Sequence, residues 1–335
     1  MKKFKIIFMK YIFLLKAVCR KGRISNLFLI IGSYLLKRSE VKGLPCVFQI
    51  EPTNKCDLRC RLCLTGLGKL KRPKGEMTFN AFKNILRQVE NSLIYLALYN
   101  MGEPLLNPDI YNMISYAKQK GVFIRLSTNA NFSGRKHIKN ILNSGIDELI
   151  ISLDCATAQT YSEYKNSPHY DRVIDNVRLI VKERGSSPRP LIKLQFLLMK
   201  STEGDIDIFK KLVKELAVDQ GIMKKVRVDF YGVNPRYDAL AKNKKYVRDV
   251  YKNKRQKMTC WRPWLSTVIL WDGKVAPCCF DMEGEFGFGN IAEQSMSSIW
   301  NNRRYVKFRE KIAKNSDVPA ICHQCSIKNF RKNFI

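Results

Sequence analysis

At 335 residues, with 45% hydrophobic side chains, the chain is long enough for one large domain and a small one. It has no low-complexity tract and no repeat of solenoid period, and its eleven cysteines, an odd count in a long chain, argue against a secreted disulfide scaffold and for metal-binding thiols in a reducing compartment. The formal net charge of +31 favours anionic partners (nucleic acid, acidic lipid or a phosphorylated substrate) or else marks a solvated lysine-rich surface.

Residues 1–45 are basic and apolar. The opening stretch has the charged start and apolar middle of a signal peptide, but Lys10 and Lys16 interrupt the apolar run. Arg20, Lys21 and Arg23 then stand where small cleavage-site residues belong, and Val18 before Cys19 does not fit a lipobox. The second apolar run, 27–36, is too short to span a bilayer. The segment reads as two helices that either lie in a membrane interface or pack against the main domain.

Residues 46–234 alternate between strand and helix patterns. Strands are expected at 47–52, 93–100, 122–129, 147–154, 191–199 and 225–232. Helices are expected at 78–90, with Thr78 as N-cap, at 108–121 and before Gly145, as one long stretch over 157–184, and at 205–218. Such alternation implies α/β architecture: a parallel sheet curved into a partial (β/α)6 TIM-like barrel, with chemistry at the C-terminal ends of the strands. Polar motifs fall at those ends. They are the loop CDLRCRLC after the first strand, Gly102-Glu103-Pro104 after the second, Asn129 after the third, and Ser152 with Asp154 closing the fourth.

The first of these motifs places Cys56, Cys60 and Cys63 at C-x3-C-x2-C. Three thiolates suit a [4Fe–4S] cluster whose fourth iron stays open. The alternatives are three buried free thiols, or a zinc completed by one of the three histidines (His137, His169, His323), none of which is near the loop in sequence.

A polar, basic linker is expected over 235–259, and a small Cys-rich domain over 260–335. In the latter, Cys260, Cys278, Cys322 and Cys325 form C-x12-G-x4-C, a long gap, then C-x2-C, with Gly273 as the glycine. Four thiolates would fully ligate one auxiliary [4Fe–4S] cluster or a structural zinc. Cys279 is left over, either a packed thiol or an active-site group.

The cysteine loop, the MGEP segment and the alternating barrel resemble the radical S-adenosylmethionine (SAM) enzymes over about 47–232. The four C-terminal cysteines resemble their shortened SPASM or Twitch extension. The resemblance implies that the open iron chelates SAM, that one electron cleaves it to a 5′-deoxyadenosyl radical, and that this radical takes a hydrogen atom from the substrate. It further implies that Glu103 accepts a hydrogen bond from the SAM amino group, that Gly102 allows close backbone approach, and that Asn129, Ser152 and Asp154 hold ribose and carboxylate. For Ser152 and Asp154, local strand-end capping is the alternative. Leu62 stands where the family often has an aromatic residue beside adenine. An electron donor such as flavodoxin or ferredoxin is implied, and an oxygen-sensitive open cluster suits a low-oxygen cytoplasm, with peripheral membrane contact through the N-terminal helices.

Three functions compete. The first is oxidation or rearrangement of a sugar-like or lipid-linked small molecule, suggested by the single auxiliary cluster and the basic, apolar N-terminus; the four-cysteine spacing looks closer to the aminoglycoside-type sugar dehydrogenases and deoxygenases. In sulfatase-maturating enzymes an aspartate follows the second auxiliary cysteine, whereas here it is Cys279 with Asp281 two further on. The second is modification of a ribosomally made peptide, although the first 45 residues are short and apolar for a winged-helix peptide-recognition domain. The third is a non-enzymatic metal-binding protein for nucleic acid, against which the lysines are dispersed and no aromatic-basic motif stands out. Cys279, Asp281, Glu283 and Tyr231 are the candidates for a catalytic acid or base.

Overall fold

The computed structural model describes residues 2–228, 236–248, 260–323 and 325. Nine strands form one sheet: β1 (Val47–Ile50), β2 (Tyr95–Leu98), β3 (Phe123–Thr128), β4 (Glu148–Asp154), β5 (Leu191–Leu198), β6 (Gln220–Lys225), β7 (Ser266–Ile269), β8 (Lys274–Ala276) and β9 (Gly289–Asn290). Their order is β6-β5-β4-β3-β2-β1-β7-β8-β9. The first seven are mutually parallel, and β8 and β9 complete an antiparallel hairpin edge. This is the expected partial barrel of α/β type. Its sheet, however, runs on into the C-terminal segment, because Val47 to Ile50 pair directly with Ser266 to Ile269.

The helices between the strands are α3 (Phe79–Val89), α4 (Ile110–Gln119), α5 (Arg135–Asn143), α6 (Ala158–Lys165), α7 (Tyr170–Arg184) and α8 (Ile206–Glu215). They come after α1 (Lys2–Val18) and α2 (Arg23–Leu35), and α9 (Arg262–Leu265), α10 (Met296–Trp300), α11 (Arg303–Lys314) and α12 (Ala320–His323) complete the described helices. Thr78 caps α3 as expected, accepting a hydrogen bond from Ala81 N. The barrel helices bury an apolar stripe on the sheet; in α3 that stripe is Phe82, Ile85, Leu86 and Val89.

The structure departs from two of the expected elements. The long helix over 157–184 is two helices, because Asn166 adopts the left-handed conformation (φ 53°) just ahead of Pro168. The sixth strand lies at Gln220–Lys225, five residues ahead of the expected 225–232, of which the described residues 226–228 are not strand. As an edge strand it is held by backbone pairing to β5 and needs no apolar alternation, whereas Val226 and Val228, whose alternation suggested a strand, are buried just beyond it. Residues 229–235, including Tyr231, lie outside the described residues.

The N-terminal helices close the bottom of the barrel. Lys10 approaches Glu148 at the start of β4 (3.7 Å), where Arg125 and Lys193 also converge (2.9 and 3.0 Å). Burial alone would raise the Glu148 pKa, but these three cations hold it below the usual range. Arg23, fully buried, donates to the carbonyls of Ala17, Glu90, Lys120 and Gly121, tying both helices to the loops that enter β2 and β3. The segment after α2 is fixed to the C-terminal part through Trp264 Nε1 to Arg38 O (2.6 Å) and the fully buried Arg309, which donates to Pro263 O and Ser39 O. No helix of the described residues is long and apolar enough to cross a membrane.

Candidate active site

The three-cysteine loop leaves β1 at its C-terminal end and is held from several sides. Glu51, immediately after β1, is fully buried and receives both terminal nitrogens of Arg72 (2.6 Å each), with Asn100 Nδ2 and Met101 N. The same Arg72 donates through Nε to Met282 O in the C-terminal part (2.7 Å). Asn54 donates to Pro73 O and accepts from Gly75 N. Within the loop, Cys63 N donates to Cys60 O and Leu67 N to Cys63 O. Gly66 lies against the Cys60 backbone so closely that a Cβ there would stand 2.5 Å from Cys60 N.

Burial pushes the Cys56 thiol up to about 12 and the Cys60 thiol to about 11. Three thiols carried on one short loop are the donor type that an iron–sulfur cluster takes, and a cationic centre bound there would deprotonate them, so the donor set fits such a cluster. The Lys165 ammonium, buried and close enough to Cys60 to favour its thiolate, adds positive charge.

The second motif packs on this loop. Glu103 N donates to Lys55 O (2.8 Å), and Gly102, at φ +111°, sits where a Cβ would fall 2.5 Å from Thr53 O. Only glycine fits both the dihedral and the contact. The Glu103 carboxylate accepts from Leu105 N and from Asn129 N, the latter at 2.7 Å, which joins the ends of β2 and β3. Burial, partly offset by these donors, raises its pKa to about 7. The Asn129 side chain donates to Asp57 in the cysteine loop (2.7 Å), and Asn131 supports the other oxygen of Asp57.

At the end of β4, Ser152 Oγ lies 3.2 Å from Ser127 Oγ. The Asp154 carboxylate is bound by Lys165 Nζ (2.5 Å) and Gln195 Nε2 (2.7 Å). Lys165 also donates to Ser152 O, and Arg61 N in the cysteine loop donates to Tyr164 O beside it. Asp154 thus holds a buried cation at the site rather than presenting an unpaired carboxylate. Leu62 is buried in the main core.

In the C-terminal part, Cys260, Cys278, Cys322 and Cys325 line one cavity with Arg262, Phe280, Phe308 and Ile321 among its walls. Burial raises Cys260 to about 11 and Cys322 to about 12, and Cys278 well above its usual value. Burial would lower the Arg262 pKa, but Cys279, Cys278, Cys260 and Cys325 together raise it. A guanidinium set among thiols suits a centre whose four thiolates carry excess negative charge. Among the described residues, no three Cys, His, Asp or Glu side chains converge as closely as ligands of one single ion do. Cys279 packs on Val268, Leu270 and Ala276, with Arg262 Nη1 at 3.8 Å from its sulfur. Asp281 accepts from Glu285 N and Phe286 N, a loop brace, and Glu283 accepts from Lys71 N and Arg72 N.

Sequence reading missed Glu51, Arg72, Gly66, Lys165 and Arg262. Gly66 stands three residues past the cysteine loop and Arg262 two residues past Cys260, close enough for the motifs to have pointed to them; Glu51, Arg72 and Lys165 act through partners 11 or more residues away.

This fold and these two cysteine sets define the class. Residues 50–213 match the radical SAM superfamily and residues 260–326 match the SPASM iron–sulfur cluster-binding domain. The chain belongs to the radical SAM superfamily; it is a SAM-dependent iron–sulfur enzyme whose SPASM domain implies auxiliary iron–sulfur binding. Among curated relatives it is similar to the tungsten-containing aldehyde ferredoxin oxidoreductase cofactor-modifying protein of Pyrococcus furiosus, 23% identical over 84% of this chain and 87% of that one. It is also similar to PqqA peptide cyclase of Xanthomonas euvesicatoria, 21% identical over 84% of this chain and 80% of that one. Among solved structures, Streptococcus suis SuiB bound to precursor peptide SuiA shares the fold, with a TM-score of 0.63 and 15% identity over 82% of this chain and 68% of that one.

Proposed function

We propose that this enzyme modifies a ribosomally made peptide or protein. The observation that carries this reading is likeness along most of the chain, across both cysteine-bearing parts, to PqqA peptide cyclase, supported by a fold shared with SuiB bound to its precursor peptide. When bound, the open cluster and SAM supply the radical that removes a hydrogen atom from the substrate.

The chain's own residues supply position and exclusion of water. Cys56, Cys60 and Cys63 are the ligands of the open cluster, and Cys260, Cys278, Cys322 and Cys325 those of the auxiliary one. Glu103 receives the SAM ammonium while its hydrogen bonds to Leu105 N and Asn129 N keep the ends of β2 and β3 together. Gly102 lets the backbone approach SAM closely. Asn129 holds the loop through Asp57, and Asp154 and Ser152 O hold the buried Lys165 beside the cysteine loop. Arg72 couples the loop to the SPASM part, so the two metal sites keep a fixed separation. Asp281 and Glu283 serve as braces, and Cys279 remains the candidate for proton or electron exchange with the substrate. A reductant of flavodoxin or ferredoxin type delivers the electron.

The test is turnover with SAM, dithionite and synthetic peptides matching whatever short reading frames flank the gene. Loss of a hydrogen pair or a new crosslink in any of those peptides supports the reading. Formation of 5′-deoxyadenosine with every peptide unchanged overturns it. The second reading, a small molecule such as a sugar-like or cofactor substrate, is favoured by the name of the Pyrococcus relative, a cofactor-modifying protein.

A further inference from the structure

We propose that the outer faces of α1 and α2 seat this enzyme on an anionic lipid surface. The inner faces of both helices are used by the fold, with Phe13, Ala17, Arg23 and Ile30 buried against the barrel bottom and the neighbouring elements. The opposite faces carry large apolar side chains in water. On α2, Ile24, Phe28, Ile31 and Leu35 recur at spacings of four, three and four, one helical stripe, with Phe28 at 74% and Leu35 at 71% exposure. Phe8, Tyr11 and Leu15 form the matching stripe on α1, all more than half exposed. Apolar stripes on two successive helices that do nothing for the core mark an interaction surface.

Charge identifies the occupant. Residues 1–39 contain seven Lys and three Arg and no Asp or Glu. Lys16, Arg20, Lys21, Lys37 and Arg38 are exposed at the ends of the two helices. An apolar stripe flanked by cations and free of carboxylates is the pattern that lies in the headgroup region of an anionic bilayer. A second copy of this chain is a poor occupant, since two molecules of net charge +31 would meet through like-charged faces. Because neither helix can cross a bilayer, the contact is peripheral.

The fold gives this contact a direction. Arg23 and Lys10 bind at the loops and residues that begin β2, β3 and β4, whereas the cysteine loop leaves the C-terminal end of β1. An enzyme seated through α1 and α2 therefore turns its active-site mouth away from the lipid, open to a substrate from the aqueous side.

The test is flotation of the full-length, iron-loaded protein with vesicles of phosphatidylcholine alone or mixed with phosphatidylglycerol. The expected result is binding to the mixed vesicles only, weakening as salt is raised. Phe28→Ser/Leu35→Ser should lower the bound fraction about tenfold or more while iron content and SAM cleavage stay at wild-type levels. Lys37→Gln/Arg38→Gln should move the salt at which binding is lost to a lower value. No binding to mixed vesicles at low salt, or equal binding by Phe28→Ser/Leu35→Ser, would overturn the proposal. So would light scattering that finds a wild-type dimer which Phe28→Ser/Leu35→Ser converts to monomer, for the face would then belong to a second copy.

Discussion

Arg72 shows what one side chain does here. It gives two hydrogen bonds to the buried Glu51 and a third to Met282 O, so removing it leaves a fully buried carboxylate with the neutral donors Asn100 Nδ2 and Met101 N but without its cation. Breaking a buried pair by deleting one partner costs about 3–5 kcal/mol. Arg72→Ala should therefore lower the thermal midpoint sharply, and Arg72→Lys should recover little, because an ammonium cannot reproduce the planar fork. An Arg72→Ala midpoint near wild type would mean that the clamp contributes nothing to stability. Glu103 makes a second prediction. Its pKa is raised to about 7, chiefly by burial, so as pH falls through that value the carboxyl gains a proton and loses its attraction for an ammonium. SAM affinity should then be weaker at pH 6 than at pH 8, and Glu103→Gln should flatten the profile while costing about 1.5–3 kcal/mol of binding, measured by calorimetry on the iron-loaded protein.

At the scale of elements, two loops bear metal ligands and each is anchored by other parts of the chain. The cysteine loop is stitched to 72–76, to the segment after β2, to the end of β3 and to the end of α6. The SPASM ligands come from just before α9 (Cys260), the turn after β8 (Cys278), α12 (Cys322) and the chain just beyond it (Cys325); the β7–β8 hairpin brings the first two to one end, and β7 joins this part to the barrel through β1. The two sites should load separately. Cys278→Ala should lose about four irons and their visible absorbance, yet keep SAM cleavage to 5′-deoxyadenosine without substrate turnover. Cys56→Ala/Cys60→Ala/Cys63→Ala should show the reverse: the other irons kept and SAM cleavage lost. Iron and sulfide analysis with product chromatography decides both.

For the whole molecule, the excess of positive charge acts at a distance. A +31 chain attracts acidic substrates and electron carriers through a field that salt screens over about 8 Å at physiological ionic strength. With an acidic peptide substrate, kcat/KM should fall as salt is raised from low to physiological values while kcat changes little, because steering affects encounter more than chemistry. A flat dependence would assign the charge to surface solvation alone.

Alternating strand and helix periods, Thr78 as a cap and the spacing of seven cysteines are properties of short segments, and short segments are what a sequence displays. They determined the barrel class, both cysteine sets and the Gly102-Glu103 motif. What they could not determine depends on groups far apart in the chain. Arg72 and Met282, Lys165 and Cys60, and Arg262 amid its thiols acquire meaning only when the chain folds back on itself. The sixth strand was displaced for the same reason, since an edge strand is chosen by the partner that pairs with it, here β5, and not by its own apolar pattern. Two basic, apolar N-terminal helices were legible, but which face the protein keeps and which it leaves to water was settled by the barrel bottom they cover. Periodicity tells a helix from a strand; only packing decides what each face touches.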